Sequence, residues 1–163
     1  MEVYTSYFYQ VRNMNPNIVP LSTAVGDPAW YHAGLGLSCT FVDKNGVLNG
    51  MRAEPFRPGI ACNGLCRGRA NCASADPQTC AFLKTYRAQL DKLAPPAISQ
   101  YFKSIASWYE QTYNQECKAL ALLFHEAPTN PCSERVVVQQ WFRDNGYDIQ
   151  EWRSSEVVTT RRL

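Results

Sequence analysis

Lys118-Ala-Leu-Ala-Leu-Leu-Phe124, then His125-Glu126-Ala-Pro-Thr-Asn-Pro-Cys132-Ser-Glu-Arg135, then Val136-Val-Val-Gln-Gln-Trp141-Phe142 is the stretch that decides the fold. The first part is an apolar run of strand length with no polar alternation, as expected of a strand buried on both faces of a parallel sheet. The last part carries apolar residues at i, i+3 and i+4 spacing and reads as an amphipathic helix spanning 132–145. Gly146 stops that helix, and Tyr147-Asp-Ile-Gln-Glu-Trp152 reads as a further strand. Strand, helix and strand in this order form a βαβ unit, which requires a parallel pair and a crossover. The fold class that follows is α/β, around a mostly parallel central sheet.

Outward from this unit the pattern is consistent. Val3-Tyr-Thr-Ser-Tyr-Phe-Tyr9 is β-branched and aromatic and predicts an opening strand. Asn13 to Pro20 reads as a polar connection, Leu21 to Val25 as a short strand, and Gly26-Asp27-Pro28 as the start of a helical turn containing Trp30 and Tyr31. Thr40-Phe-Val42 predicts another strand, and Asp43-Lys-Asn-Gly46 a turn leading into Val47-Leu48. Residues 79–93 return to helical spacing through Phe82, Leu83, Tyr86 and Leu90. Pro95-Pro96 is read as ending that helix, and 97–113 as a second one. A length of 163 residues suits one domain, 1–163, with 55–80 as a cysteine-rich insertion inside it.

Composition narrows the classes. Hydrophobic residues at 45% and charged residues at 18% describe a packed globular chain rather than a disordered one. A formal net charge of +2 gives no general drive toward nucleic acid. No apolar stretch reaches the ~18 residues a membrane span needs, and the N-terminus lacks a secretory signal pattern. The expectation is a cytosolic protein with no membrane partner. In a reducing compartment the seven cysteines are ligands, nucleophiles or small buried residues rather than disulfides.

The loop between strand and helix concentrates reactive groups. Asn130-Pro131 predicts a helix opening with Asn as N-cap and Pro at the first helical position. That would put Cys132 in the first turn, where the helix dipole and unpaired N–H groups lower a thiol pKa or bind an anion. Arg135, one turn on, would clamp a phosphate or carboxylate. His125 and Glu126 end the strand across the same loop, as candidate base and acid. Adjacent residues at a strand end face opposite ways, so one of the two is expected in the pocket.

Cys62, Cys66, Cys72 and Cys80 stand at C-x3-C-x5-C-x7-C spacing. Four thiolates can complete a closed tetrahedral zinc site and so order a loop with no core of its own, and an iron–sulfur cluster is the alternative. Arg52, Arg57, Arg67 and Arg69 surround this segment and offer phosphate contacts. With aromatics such as Tyr7 they allow a nucleotide or nucleic-acid site built on stacking.

Leu122-Leu-Phe-His-Glu126, Pro128, Pro131-Cys132 and Arg135, followed by a helix and a strand, resemble the domain-of-unknown-function 488 family of bacterial and phage proteins, as does the opening Val3-Tyr-Thr-Ser-Tyr7. The resemblance is concentrated in the C-terminal unit. It implies a three-layer α/β fold, site residues Glu126, Cys132 and Arg135, and a link to nucleic-acid processing or base modification. It also ranks Glu126 ahead of His125. Phe124 stands where the family has a first cysteine, Ser133-Glu134 replaces a single histidine, and the cysteine-rich insertion has no counterpart in the common form.

Two functional classes follow. One is a small cytosolic enzyme acting on a nucleotide or nucleic-acid base. The other is a metal-stabilised, non-catalytic module, phage-encoded and working in the host cytoplasm, that engages nucleic acid or a host protein.

Overall fold

The computed structural model describes residues 1–33, 48–66 and 78–154. Its centre is a six-stranded sheet built from β1 (Glu2–Tyr7), β2 (Ile18–Ser22), β3 (Tyr31–Ala33), β4 (Leu48–Arg52), β5 (Ala119–Phe124) and β6 (Gln150–Glu151), in the order β3-β4-β2-β5-β1-β6. Every pairing is parallel. The α/β class expected from the stretch around β5 is the one found. β5 lies between β1 and β2, and all six of its residues are buried. That explains its unbroken apolar run: neither face meets water.

The two faces of β5 serve different cores. Leu120, Leu122 and Phe124 point into the larger one with Val19, Leu21 and residues from all three α-helices: α1 (Ala81–Leu90), α2 (Pro95–Tyr113) and α3 (Glu134–Asp144). Ala119, Ala121 and Leu123 face the other way, against Phe8, Val11, Ile18 and Tyr31, with Trp30 and Trp152 packed alongside. Among the described residues, the layer on that second face is a 3-10 turn, Phe8–Asn13, and loop aromatics. Small alanines on this side of β5 suit bulky rings pressing close to the sheet.

Several local expectations shift. β2 runs from Ile18, so Pro20 lies inside a strand rather than in a connection. It is tolerated because the pairing with β4 begins only at Leu21. The Tyr31 hydroxyl, 2.9 Å from the Met51 carbonyl and 3.2 Å from that of Pro20, fills the gap where the ladder is not yet formed. Tyr31 itself begins β3 instead of sitting in a helical turn. Pro95 and Pro96 open α2 rather than close α1, since the first helical positions need no N–H donor. β6 contracts to two residues and pairs with β1, so the α3 crossover passes over a neighbouring strand. The strand and turn expected at 40–46 lie outside the described residues.

The segment from Glu54 to Cys66 is tied down by specific contacts. The Gln89 side chain accepts from the Gly59 N–H at 2.7 Å and donates to the Arg57 carbonyl at 2.7 Å. Phe56 is fully buried, and the Tyr86 hydroxyl donates to its carbonyl at 2.5 Å. Cys62 is buried, while Cys66 and Cys80 pack half-buried against the same core. No helix among the described residues is long and apolar enough to cross a membrane.

Candidate functional site

The chain leaves β1 toward β2 over one face of the sheet and leaves β5 toward β6 over the other, through α3. β1 and β5 are neighbours, so their carboxyl ends flank a topological switch point, where open α/β sheets place their ligand crevices. The loop from His125 to Ser133 rises from this point.

Arg135 reaches back from α3 into the crevice and is almost wholly buried. Its Nη2 donates to the Ser6 carbonyl at 3.0 Å and the Glu126 carbonyl at 2.8 Å, which end β1 and follow β5. Its Nε donates to Glu151 Oε2 at 3.0 Å, and that oxygen also accepts from the Thr5 hydroxyl at 2.6 Å. The guanidinium lies over the rings of Phe124, at 5.3 Å, and Tyr7, at 5.9 Å. Nε and Nη2 are thus engaged by the fold and hold the loop in position, while Nη1 is buried with no hydrogen-bond partner among the described residues and is the nitrogen left for the ligand clamp expected of Arg135.

The helix start also differs from expectation. Ser133, not Asn130, is the N-cap of α3: its buried hydroxyl accepts from the Arg135 N–H at 3.2 Å. Asn130 caps one turn too early for the helix, accepting from the Cys132 N–H at 2.9 Å in an Asx turn. Cys132 is half-buried and precedes the helix, so its thiol is outside the first turn. Glu134 takes the first helical position, where the dipole favours a carboxylate.

Glu134 and His125 both line one cavity. A space of about 210 Å3 at the carboxyl edge is lined by His125, Glu134, Phe82, Phe124 and the segment Thr23–Gly26. His125 Nε2 lies 2.6 Å from the Gly26 carbonyl, which can only accept, so Nε2 carries the proton. In the neutral ring Nδ1 is then the basic nitrogen. The His125 ring also sits 5.0 Å from the ring of Phe8. Glu134 acts in a second direction as well. Burial is the main reason the Cys62 thiol and the Tyr86 hydroxyl are pushed up in pKa, and the Glu134 charge adds to both. Sequence reasoning did not select Glu134. The signal available was a carboxylate immediately after a Ser that can cap.

The remaining candidates divide. Tyr7 stacks on the exposed Tyr9, centroids 6.5 Å apart, and the Arg12 guanidinium lies 4.6 Å from the Tyr9 ring centre. Arg52 is engaged by Asp27 through Nε at 3.1 Å and Nη2 at 3.0 Å. Arg57 donates to the Val25 carbonyl at 3.0 Å. Both arginines therefore brace the 23–27 segment that walls the cavity, and neither is among the residues that line it. Cys72, Arg67 and Arg69 lie outside the described residues. Among the described residues, no group of three His, Cys, Asp or Glu side chains is placed to hold a metal ion. Cys117 stands apart, buried two residues before β5, with its thiol pushed up to about 11 by desolvation.

No protein-family model, curated protein or solved structure matches this chain.

Proposed function

We propose that this chain is a small α/β enzyme acting on a nucleotide or a nucleic-acid base, with its site over the carboxyl ends of β2 and β5. The observation that carries the reading is the shared cavity of His125 and Glu134. An imidazole with a fixed tautomer and a carboxylate, set in a partly apolar wall, are the parts of a general acid–base pair. His125 Nδ1 takes the proton in this scheme and Glu134 exchanges one. Glu126 and Cys132, named with Arg135 by the family resemblance, belong to the loop that joins β5 to α3, and Arg135 is a positioning residue.

The cavity's size supports a base rather than a whole nucleotide inside it, since pockets that enclose a complete ligand run to ~300–1,000 Å3. The sugar and phosphates would stay outside, where Tyr9 offers a stacking face and Arg12 a cation. A structural zinc on the four thiolates of Cys62, Cys66, Cys72 and Cys80 belongs to the same proposal, and it would require Cys62, Cys66 and Cys80 to draw together from places where they do not yet form a metal-holding group. Metal analysis of the purified chain should then return about one zinc per chain by the four-thiolate rule. A folded, metal-free chain removes that part of the reading.

The test of the enzyme itself is turnover on a panel of nucleosides, nucleotides and short oligonucleotides. His125→Ala and Glu134→Gln should each lower kcat by about 10²–10⁴-fold, with the melting temperature held. Full turnover in both variants would sink the reading. Binding without turnover, lost in Tyr9→Ala, would favour the non-catalytic module instead.

A further inference from the structure

A larger cavity opens at the opposite, amino edge of the sheet, between the start of β1, the first turns of α2 and the end of α3. Its volume is about 530 Å3, against about 210 Å3 at the carboxyl edge, and it falls in the ~300–1,000 Å3 range of small-molecule sites. The walls are Val3, Ile98, Phe102, Trp141, Phe142 and Ile149, the last five of them core residues at most 7% exposed. Phe102 and Phe142 are backed by Phe56, at ring distances of 5.9 and 5.8 Å, so the apolar lining is formed before any ligand arrives.

The rim is charged, and its charges are unequal in availability. The Glu2 carboxylate accepts from the Tyr4 hydroxyl, and Asp148 accepts from Gln150 Nε2 at 2.8 Å. Lys103 has no ion pair or side-chain hydrogen bond among the described residues. Ser99 stands four residues before it on the same face of α2, and both line the cavity. The positions thus supply an ammonium and a hydroxyl donor at the mouth of an aromatic chamber.

We propose that this cavity binds a small amphipathic anion, its single anionic head on Lys103 and Ser99 and its apolar ring or chain against Phe102, Trp141 and Phe142. The two carboxylates at the rim disfavour a multiply charged head and restrict the class to monoanions such as carboxylates and sulfonates.

The full chain would be titrated with anilinonaphthalene sulfonate and, separately, with its uncharged parent phenylnaphthylamine, following probe fluorescence. One saturable sulfonate site per chain is expected. Lys103→Glu, at an exposed helical position, should leave the melting temperature in place and weaken the sulfonate about tenfold or more, the scale of a lost charge-assisted contact. The uncharged probe should change by less than about twofold, because only the apolar wall holds it. Absence of a saturable site in the parent chain overturns the proposal, and so does a Lys103→Glu chain that binds the sulfonate as tightly as the parent.

Discussion

Replacing Arg135 by Met is expected to destabilise the chain by about 3–5 kcal/mol, the range for removing one partner of a buried pair. For a domain of this size that lowers the melting temperature by roughly 6–20 °C. The guanidinium is 4% exposed and donates to Ser6 O, Glu126 O and Glu151 Oε2 together. Its loss strips a donor from two carbonyls at the ends of neighbouring strands. It also strands a carboxylate whose side chain is only 12% exposed. Lys cannot present a planar fork to three acceptors, so Arg135→Lys should recover little. Adding Glu151→Leu to Arg135→Met should recover part of the loss, because the stranded charge goes with it. Thermal melts of the three variants separate these cases. An Arg135→Met chain that melts within about 2 °C of the parent, under ~1 kcal/mol by the same conversion, would return Arg135 to the role of a ligand clamp.

How much of this was legible in the sequence depends on whether a residue's partners are near it in the chain. β5 and α3 were readable because periodicity is local: six apolar residues in a row, then a helical stripe. Arg135 was picked out for its place after the loop. Its partners Ser6 and Glu151 come from strands that neighbour each other only once the sheet is assembled, so its burial left no local trace. The N-cap was misplaced because Asn130 and Ser133 are both good caps, and the choice between them turns on which one the folded loop buries. His125 and Glu134 stand nine positions apart across a loop with two prolines, and nothing in that spacing announces a common cavity. Pro20 in β2 was unreadable for a related reason. A proline excludes a central strand only if its missing donor faces a ladder, and here the ladder with β4 starts one residue later.

Phe56→Ala is expected to cost about 3–5 kcal/mol, the usual price of deleting a buried aromatic ring. By composition this residue belongs to a Pro-, Gly- and Cys-rich insertion; by position it joins the helices. It is fully buried, stacked on Phe102 of α2 and Phe142 of α3 at interplanar angles of 9° and 12°, with Trp141 edge-on at 5.9 Å. The Tyr86 hydroxyl of α1 closes on its carbonyl. One ring and one carbonyl therefore link α1, α2 and α3 through a segment whose regular structure is two short 3-10 turns, Glu54–Phe56 and Ile60–Cys62. Phe56→Leu should cost distinctly less, since it keeps most of the volume and leaves a smaller cavity. Because Phe56 also backs two walls of the amino-edge cavity, the Ala variant should bind anilinonaphthalene sulfonate with less defined stoichiometry before any denaturant is added. Urea unfolding decides the point. A loss below ~1 kcal/mol, the scale of an ordinary surface change rather than a core deletion, would make 54–66 the appendage its composition suggests. A loss in the expected range makes it part of the core that holds α1, α2 and α3 to the sheet.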